Sequence, residues 1–228
     1  MPLLIFIYKQ MTNLKCQAIL FDLDGTLVDS TLCVERHWQE WSQKHDLNAK
    51  EILKISHGRP TIDTIRLVAP YLDAEIEARQ LDESQASNLA GVVAVAGANE
   101  LLASLPRKKW AIVTSANQKI ATNRLLHVDL SFPEHLITTD DVEQYKPDPE
   151  GYLKAARSLK VEPEFCIVVE DAPVGLQAAK AAGMKLIAVA TTYPCSDLSL
   201  ADICIPGLSS ISVKLSGNQN TQIELKIL

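Results

Sequence analysis

The sequence has no surplus of basic residues. Its 22 lysines and arginines face 28 aspartates and glutamates, for a formal net charge of -6. Without a positive field there is no electrostatic footprint for nucleic acid or an anionic membrane, so neither is expected as a partner. A phosphorylated ligand must then be met by a local cluster of donors. No apolar run is long enough to span a bilayer. Residues 1–7, MPLLIFI, are apolar but short, with no basic stretch before them and no small-residue cleavage site after them. A secretory leader is therefore not expected. The segment reads as a variable tail, with Met11 as an alternative start just ahead of a first strand. The five cysteines, Cys16, Cys33, Cys166, Cys195 and Cys204, form no CxxC pair and no zinc-like spacing. Their odd number argues against a disulfide framework, and two lie in apolar runs, as buried thiols do. A reducing, cytoplasmic compartment fits best. No repeat or low-complexity tract appears.

What is present is an ordinary globular composition: 228 residues, 47% hydrophobic and 22% charged. That length fits one domain, or one domain carrying an insertion, and a monomer is expected. Short apolar runs at residues 18–23, 110–114, 135–138, 165–169, 186–190 and 203–205 alternate with helical patterns. Continuous apolar strands between helices predict a Rossmann-like α/β fold with a parallel sheet covered on both faces. Pro173 after Asp171, and Pro149 after Asp148, stand where first-turn prolines belong, and Gly183 stands where a helix stops. Residues 30–93 break the alternation with helical patterns only. They predict an inserted helical cap at the carboxyl edge of the sheet, where such folds bind ligands and where a lid belongs. The predicted organisation is a tail over 1–16, a core over 17–29 and 94–228, and a cap over 30–93.

Four strand ends carry polar motifs in chain order. The first is Asp22-Leu23-Asp24-Gly25-Thr26. Two carboxylates at the end of an apolar strand repel each other, and a cation with a substrate would resolve the conflict; a solvated turn is the plain alternative. The second is Val113-Thr114-Ser115, whose hydroxyls and backbone N–H groups at a strand–helix junction can grip phosphate or simply cap a helix. The third is Lys146-Pro147-Asp148-Pro149, where two prolines stiffen the chain around a lysine. The fourth is Val168-Val169-Glu170-Asp171, a buried strand ending in adjacent acids that suit a hard cation such as Mg2+. Converging at one sheet edge, they would supply a nucleophile, phosphate donors, a countercharge and a metal site.

Carried on these four motifs, the chain resembles the haloacid dehalogenase superfamily over about residues 17–213, in its phosphatase branch with a helical cap. Within that branch it more closely resembles the small sugar-phosphate and glycerol-phosphate phosphatases, including 2-deoxyglucose-6-phosphate phosphatases, on Ile55-Ser56-His57-Gly58-Arg59-Pro60-Thr61, on residues 108–116 and on residues 188–193. The resemblance implies an aspartyl-phosphate formed on Asp22 and acid–base work by Asp24. It implies magnesium held by Asp22, the Asp24 backbone carbonyl and Asp171, with Glu170 as a direct or indirect partner. It implies Thr114, Ser115 and Lys146 as holders of the transferring phosphoryl group. Ala116 and Tyr145 stand where many relatives carry glycine, which bears on the shape of the pocket.

His57, Gly58 and Arg59 occupy the conspicuous polar turn of the cap and are expected to read the substrate; an exposed helix–helix turn is the alternative. Asn117 lies close enough to the phosphate motif to touch substrate. Trp38 and Trp41 are expected to pack in the cap core or against the sheet. The expected reaction is hydrolysis of a small sugar or polyol phosphate. A β-phosphoglucomutase-like transfer back to sugar uses the same motifs and is the alternative.

Overall fold

The structure is a computed structural model that describes residues 12–217 and 222–227. Four strands form the centre of a parallel sheet: β2 (Ala18–Phe21), β5 (Trp110–Val113), β7 (Cys166–Glu170) and β8 (Lys185–Val189). Two short strands, β6 (Leu136–Ile137) and β9 (Ile203–Ile205), form its edges, giving the order β6-β5-β2-β7-β8-β9. The central strands are buried nearly end to end, which is why they read as continuous apolar runs.

Alternation still sorts their side chains. Ile19, Phe21, Trp110, Ile112, Ile167 and Val169 join one core layer, with Ala121 and Leu125 of helix α6 (Gln118–His127). Leu20, Ala111, Val113, Val168 and Leu186 join the other, with Tyr152 and Ala155 of α7 (Glu150–Leu159) and Leu176 and Ala179 of α8 (Pro173–Ala181). Pro173 does open α8, with Ala172 rather than Asp171 at the cap position. Pro149 itself occupies the cap position of α7, and Asp148 accepts from the Glu150 N–H at 2.9 Å.

The helices predicted over residues 30–93 are α1 (Thr31–Lys44), α2 (Ala49–Ser56), α3 (Thr61–Val68) and α4 (Ala74–Ser87). They enclose a small core of their own around Trp38, Trp41, Ile52, Ile65 and Leu81. The two tryptophans meet edge to face at 5.4 Å. The chain crosses between core and cap through β3 (Val28–Asp29) and β4 (Val93–Ala94), which pair antiparallel, Val28 with Ala94 and Asp29 with Val93. The two crossings are thereby tied together as one ribbon.

Three expectations need correction. Thr12–Cys16, assigned to the tail, is strand β1, and its register is antiparallel to β11 (Gln222–Ile227). With β10 (Ile211–Ser216) these strands make a second, three-stranded sheet that the sequence reading missed. Ile223 and Leu225 pack from it into the main core, so this sheet is fastened to the domain. The rest of the predicted tail, residues 1–11, lies outside the described residues. The third correction is the cysteine reading. Cys195 and Cys204 form a disulfide, because the turn after β8 brings their Cα atoms to 5.9 Å; Cys16, Cys33 and Cys166 remain free and buried. No described helix is long and apolar enough to cross a membrane.

Candidate active site

The carboxyl ends of β2 and β7 lie side by side. Asp22 continues the pairing one residue past β2, its N–H donating to the Val169 carbonyl at 3.0 Å. The chain then turns sharply, with the Gly25 N–H on the Val28 carbonyl at 2.7 Å. Gly25 sits at φ +87°, and a Cβ there would run into the Asp171 carboxylate and the Thr192 hydroxyl. The close approach of this turn to Asp171 therefore depends on glycine. Thr26 Oγ1 donates to Asp171 Oδ1 at 3.2 Å, a second tie between the two strand ends.

Glu170 organises the other side. Its Oε2 accepts from the backbone N–H groups of Asp171 and Ala172, each at 2.7 Å. Its Oε1 accepts from Lys146 Nζ at 2.8 Å and from the Tyr152 hydroxyl at 3.3 Å. Gly175 of α8 leaves the room that this carboxylate fills. Lys146 Nζ also donates to Asp22 Oδ1 at 2.5 Å and lies over the Tyr152 ring. The lysine is 7% exposed.

Burial sets the electrostatics. It pushes Asp22 up to about 8 against the pull of Lys146, with Glu170 and Asp24 adding repulsion. It pushes Asp171 well above the ordinary carboxylate range, helped by Glu170 and Asp22. Burial pulls Lys146 down, but Asp22 and Glu170 outweigh it and keep the ammonium charged. One buried cation thus faces three buried acids. Oxygens of Asp22, Glu170 and Asp171 lie within 4.8 Å of one another. An all-oxygen cluster whose carboxyls one ammonium cannot keep ionised together fits a hard divalent cation, whose charge would offset theirs. The Asp24 carboxyl stands outside that cluster.

Asp22 and Asp24 line a cavity of about 70 Å³ between core and cap, which also meets Thr114, Ser115, His57, Gly58 and Arg59. Burial holds His57 below its ordinary value. Ser115 Oγ donates to the Gly58 carbonyl at 2.8 Å, so a predicted phosphate holder and the predicted cap turn meet directly. Lys146 reaches the cavity only through Asp22. Asn117 does not line it. Its Oδ1 caps α6 from the Ile120 N–H at 2.9 Å and its Nδ2 donates to Asp82 of α4 at 3.1 Å. In this arrangement the amide holds α6 to the cap.

The sequence reading missed Arg124, Gln85 and Ser30. Arg124 pairs with Asp24 Oδ1 at 2.5 Å, and Ser30 donates to the same oxygen at 2.7 Å. A signal existed: Ile120, Ala121, Arg124 and Leu125 form the buried face of α6, and a cation on an apolar face needs a buried partner.

With this geometry established, comparison gives the identity of the family. A profile of the haloacid dehalogenase-like hydrolases matches residues 19–189. The chain belongs to that family, and within it groups with phosphatases. It is similar to hexitol phosphatase A of Escherichia coli, 37% identical over 92% of this chain and 100% of that protein. It is also similar to glycerol-1-phosphate phosphohydrolase 2 of Saccharomyces cerevisiae, 33% identical over 93% of this chain and 90% of that one. A crystal structure of a hydrolase from Pseudomonas syringae superposes with a TM-score of 0.75 at 26% identity, over 84% of this chain and 94% of that one.

Proposed function

We propose that this phosphatase hydrolyses a small polyol or sugar phosphate, with Asp22 as the nucleophile. The observation that carries the reading is the pinned Asp22. One of its oxygens is held by Lys146, the residue is buried, and it faces the same cavity as a second aspartate. An Asp22 oxygen attacks phosphorus and the bond to the alcohol oxygen breaks, with Asp24 giving its proton to that oxygen. Asp24 then takes a proton from water as the water oxygen attacks phosphorus, and the bond to Asp22 breaks to release phosphate. Lys146 balances charge throughout, and Thr114 and Ser115 offer donors to the phosphoryl oxygens. Asp22, Asp171 and Glu170 would hold magnesium, which supplies positive charge against the phosphoryl group.

A polar cavity bounded by His57, Arg59 and Trp38 supports a hydroxylated leaving group. The named relatives act on a hexitol phosphate and on glycerol-1-phosphate, which supports the same class and transfer to water. The test is release of inorganic phosphate from polyol, sugar and nucleotide monophosphates, with magnesium present and Asp22→Asn as the blank. Polyol and hexose phosphates should turn over fastest, and excess chelator should abolish release until magnesium is restored. No release from any ester, isomer interconversion without release, or turnover in excess chelator would each overturn the reading.

A further inference from the structure

Asp24 is held by two groups, and both depend on the cap. Ser30 stands between β3 and α1, at the root of the cap, and bonds Asp24 Oδ1. Arg124 comes from α6 of the core, is 2% exposed, and pairs with the same Oδ1 through Nη1. Its Nη2 donates to Gln85 Oε1 at 2.9 Å, and Gln85 is buried on α4, the last cap helix. Its Nε has no protein partner, although the residue is buried and lines the cavity.

The remaining contacts fix where Gln85 stands. On the same α4–α6 seam, Asn117 donates to Asp82 at 3.1 Å and Asn123 Nδ2 donates to the Ala86 carbonyl at 2.9 Å. The position of Gln85 is thus the position of the docked cap. A guanidinium is a rigid plane, so its three donor directions turn together. If Gln85 departs with the cap, the plane loses the acceptor that orients it, and the bond to Asp24 loses its direction. Both bonds to Asp24 fall on Oδ1, which leaves Oδ2 to serve the reacting oxygen.

Building on the phosphatase reading above, we propose that Arg124 is the positioning residue of this site. Docking of the cap through Gln85 sets the guanidinium plane, and that plane aims Asp24 at the leaving-group oxygen. The unpartnered Nε–H is offered to a hydroxyl of the same leaving group. Cap closure and acid–base competence are then one event.

The readout is leaving-group discrimination: kcat/KM for glycerol phosphate divided by kcat/KM for p-nitrophenyl phosphate, whose leaving group needs neither a proton nor a hydroxyl contact. Gln85→Leu should lower this ratio about tenfold, and Arg124→Met about 100-fold. Gln85→Glu, which keeps an acceptor for Nη2, should hold the ratio within about twofold of the parent. Should Arg124→Met fail to fold, the two Gln85 variants carry the test. An unmoved ratio in folded Gln85→Leu, or an equal loss on both esters, overturns this inference and leaves the phosphatase reading standing. Failure of the parent chain to hydrolyse either ester removes that reading, and this inference with it.

Discussion

The sheet edge and the cap contribute to the same cavity by different means. The sheet edge contributes charge. Asp22, Lys146, Glu170 and Asp171 are buried, come from strand ends and one loop, and bond to one another within a single body. The cap contributes shape and orientation, through a backbone carbonyl at Gly58, an amide at Gln85 and a ring at Trp38. Charges that must face a dianionic ester need a rigid mount, because a misplaced buried charge is expensive. Orientation can be supplied by a part that arrives with the substrate. The difference teaches that removing a core group should cost turnover and stability together, whereas disturbing the cap should change which ester is used and how tightly.

Lys146→Met tests the core half and should have the larger effect. It leaves Asp22 and Glu170 without their buried countercharge, so kcat should fall about 10²–10³-fold and stability to chemical denaturation by about 3–5 kcal/mol. A variant that loses activity with unchanged stability would show that the lysine is not part of the mount. Gly58→Ala tests the cap half. The residue sits at φ +77°, and a Cβ would stand 2.7 Å from Ala172 Cβ and 2.8 Å from Val174 Cγ2. The turn cannot then seat against the core, so KM should rise about tenfold for a stability loss of about 1 kcal/mol. An unchanged KM would separate the turn from substrate binding.

The smallest effect is a difference in thiol labelling. Cys16 and Cys166 lie on sheet strands, where burial pushes their thiols up to about 12; Cys33, also raised by burial and packed into the same main core as Cys16, sits in α1 at the root of the cap with its thiol on the Asn88 carbonyl. If the cap moves about its ribbon while the sheet stays closed, Cys33 should react several-fold faster than the other two under native conditions, by roughly the margin that separates local from global opening. Equal rates for all three, followed by peptide mapping, would mean that core and cap open as one unit.

The core half was legible in the sequence, and the cap half was largely not. Asp22 and Asp24, Thr114 and Ser115, and Glu170 and Asp171 sit in short local motifs at strand ends, and Lys146 in one on the loop before α7 rather than at the predicted strand end; parallel topology brings the strand ends together. The six apolar runs became the six strands of the main sheet, because burial on both faces leaves a run of apolar residues with no alternation to misread. Gln85 could not be read in this way. An amide in a polar helix has no signature, and its partner is set by how two helices dock. Asn117 was close in sequence to the phosphate motif, but its amide went to capping α6 and holding Asp82. The strands β10 and β11 alternate, as ISVKLS and QIELKI, the pattern of a hairpin, but lie mostly beyond the residues that carry the family resemblance. The Cys195–Cys204 bond depends on a turn geometry that spacing alone does not specify.

The central claim is that Asp22 is phosphorylated during turnover. The direct measurement mixes the enzyme with a polyol phosphate for less than one turnover, quenches in acid, and locates any added phosphoryl mass by peptide mass spectrometry. The account predicts the adduct on the peptide containing Asp22, absent from Asp22→Asn. An adduct on any other residue, or phosphate release with no adduct at any time point, would contradict it.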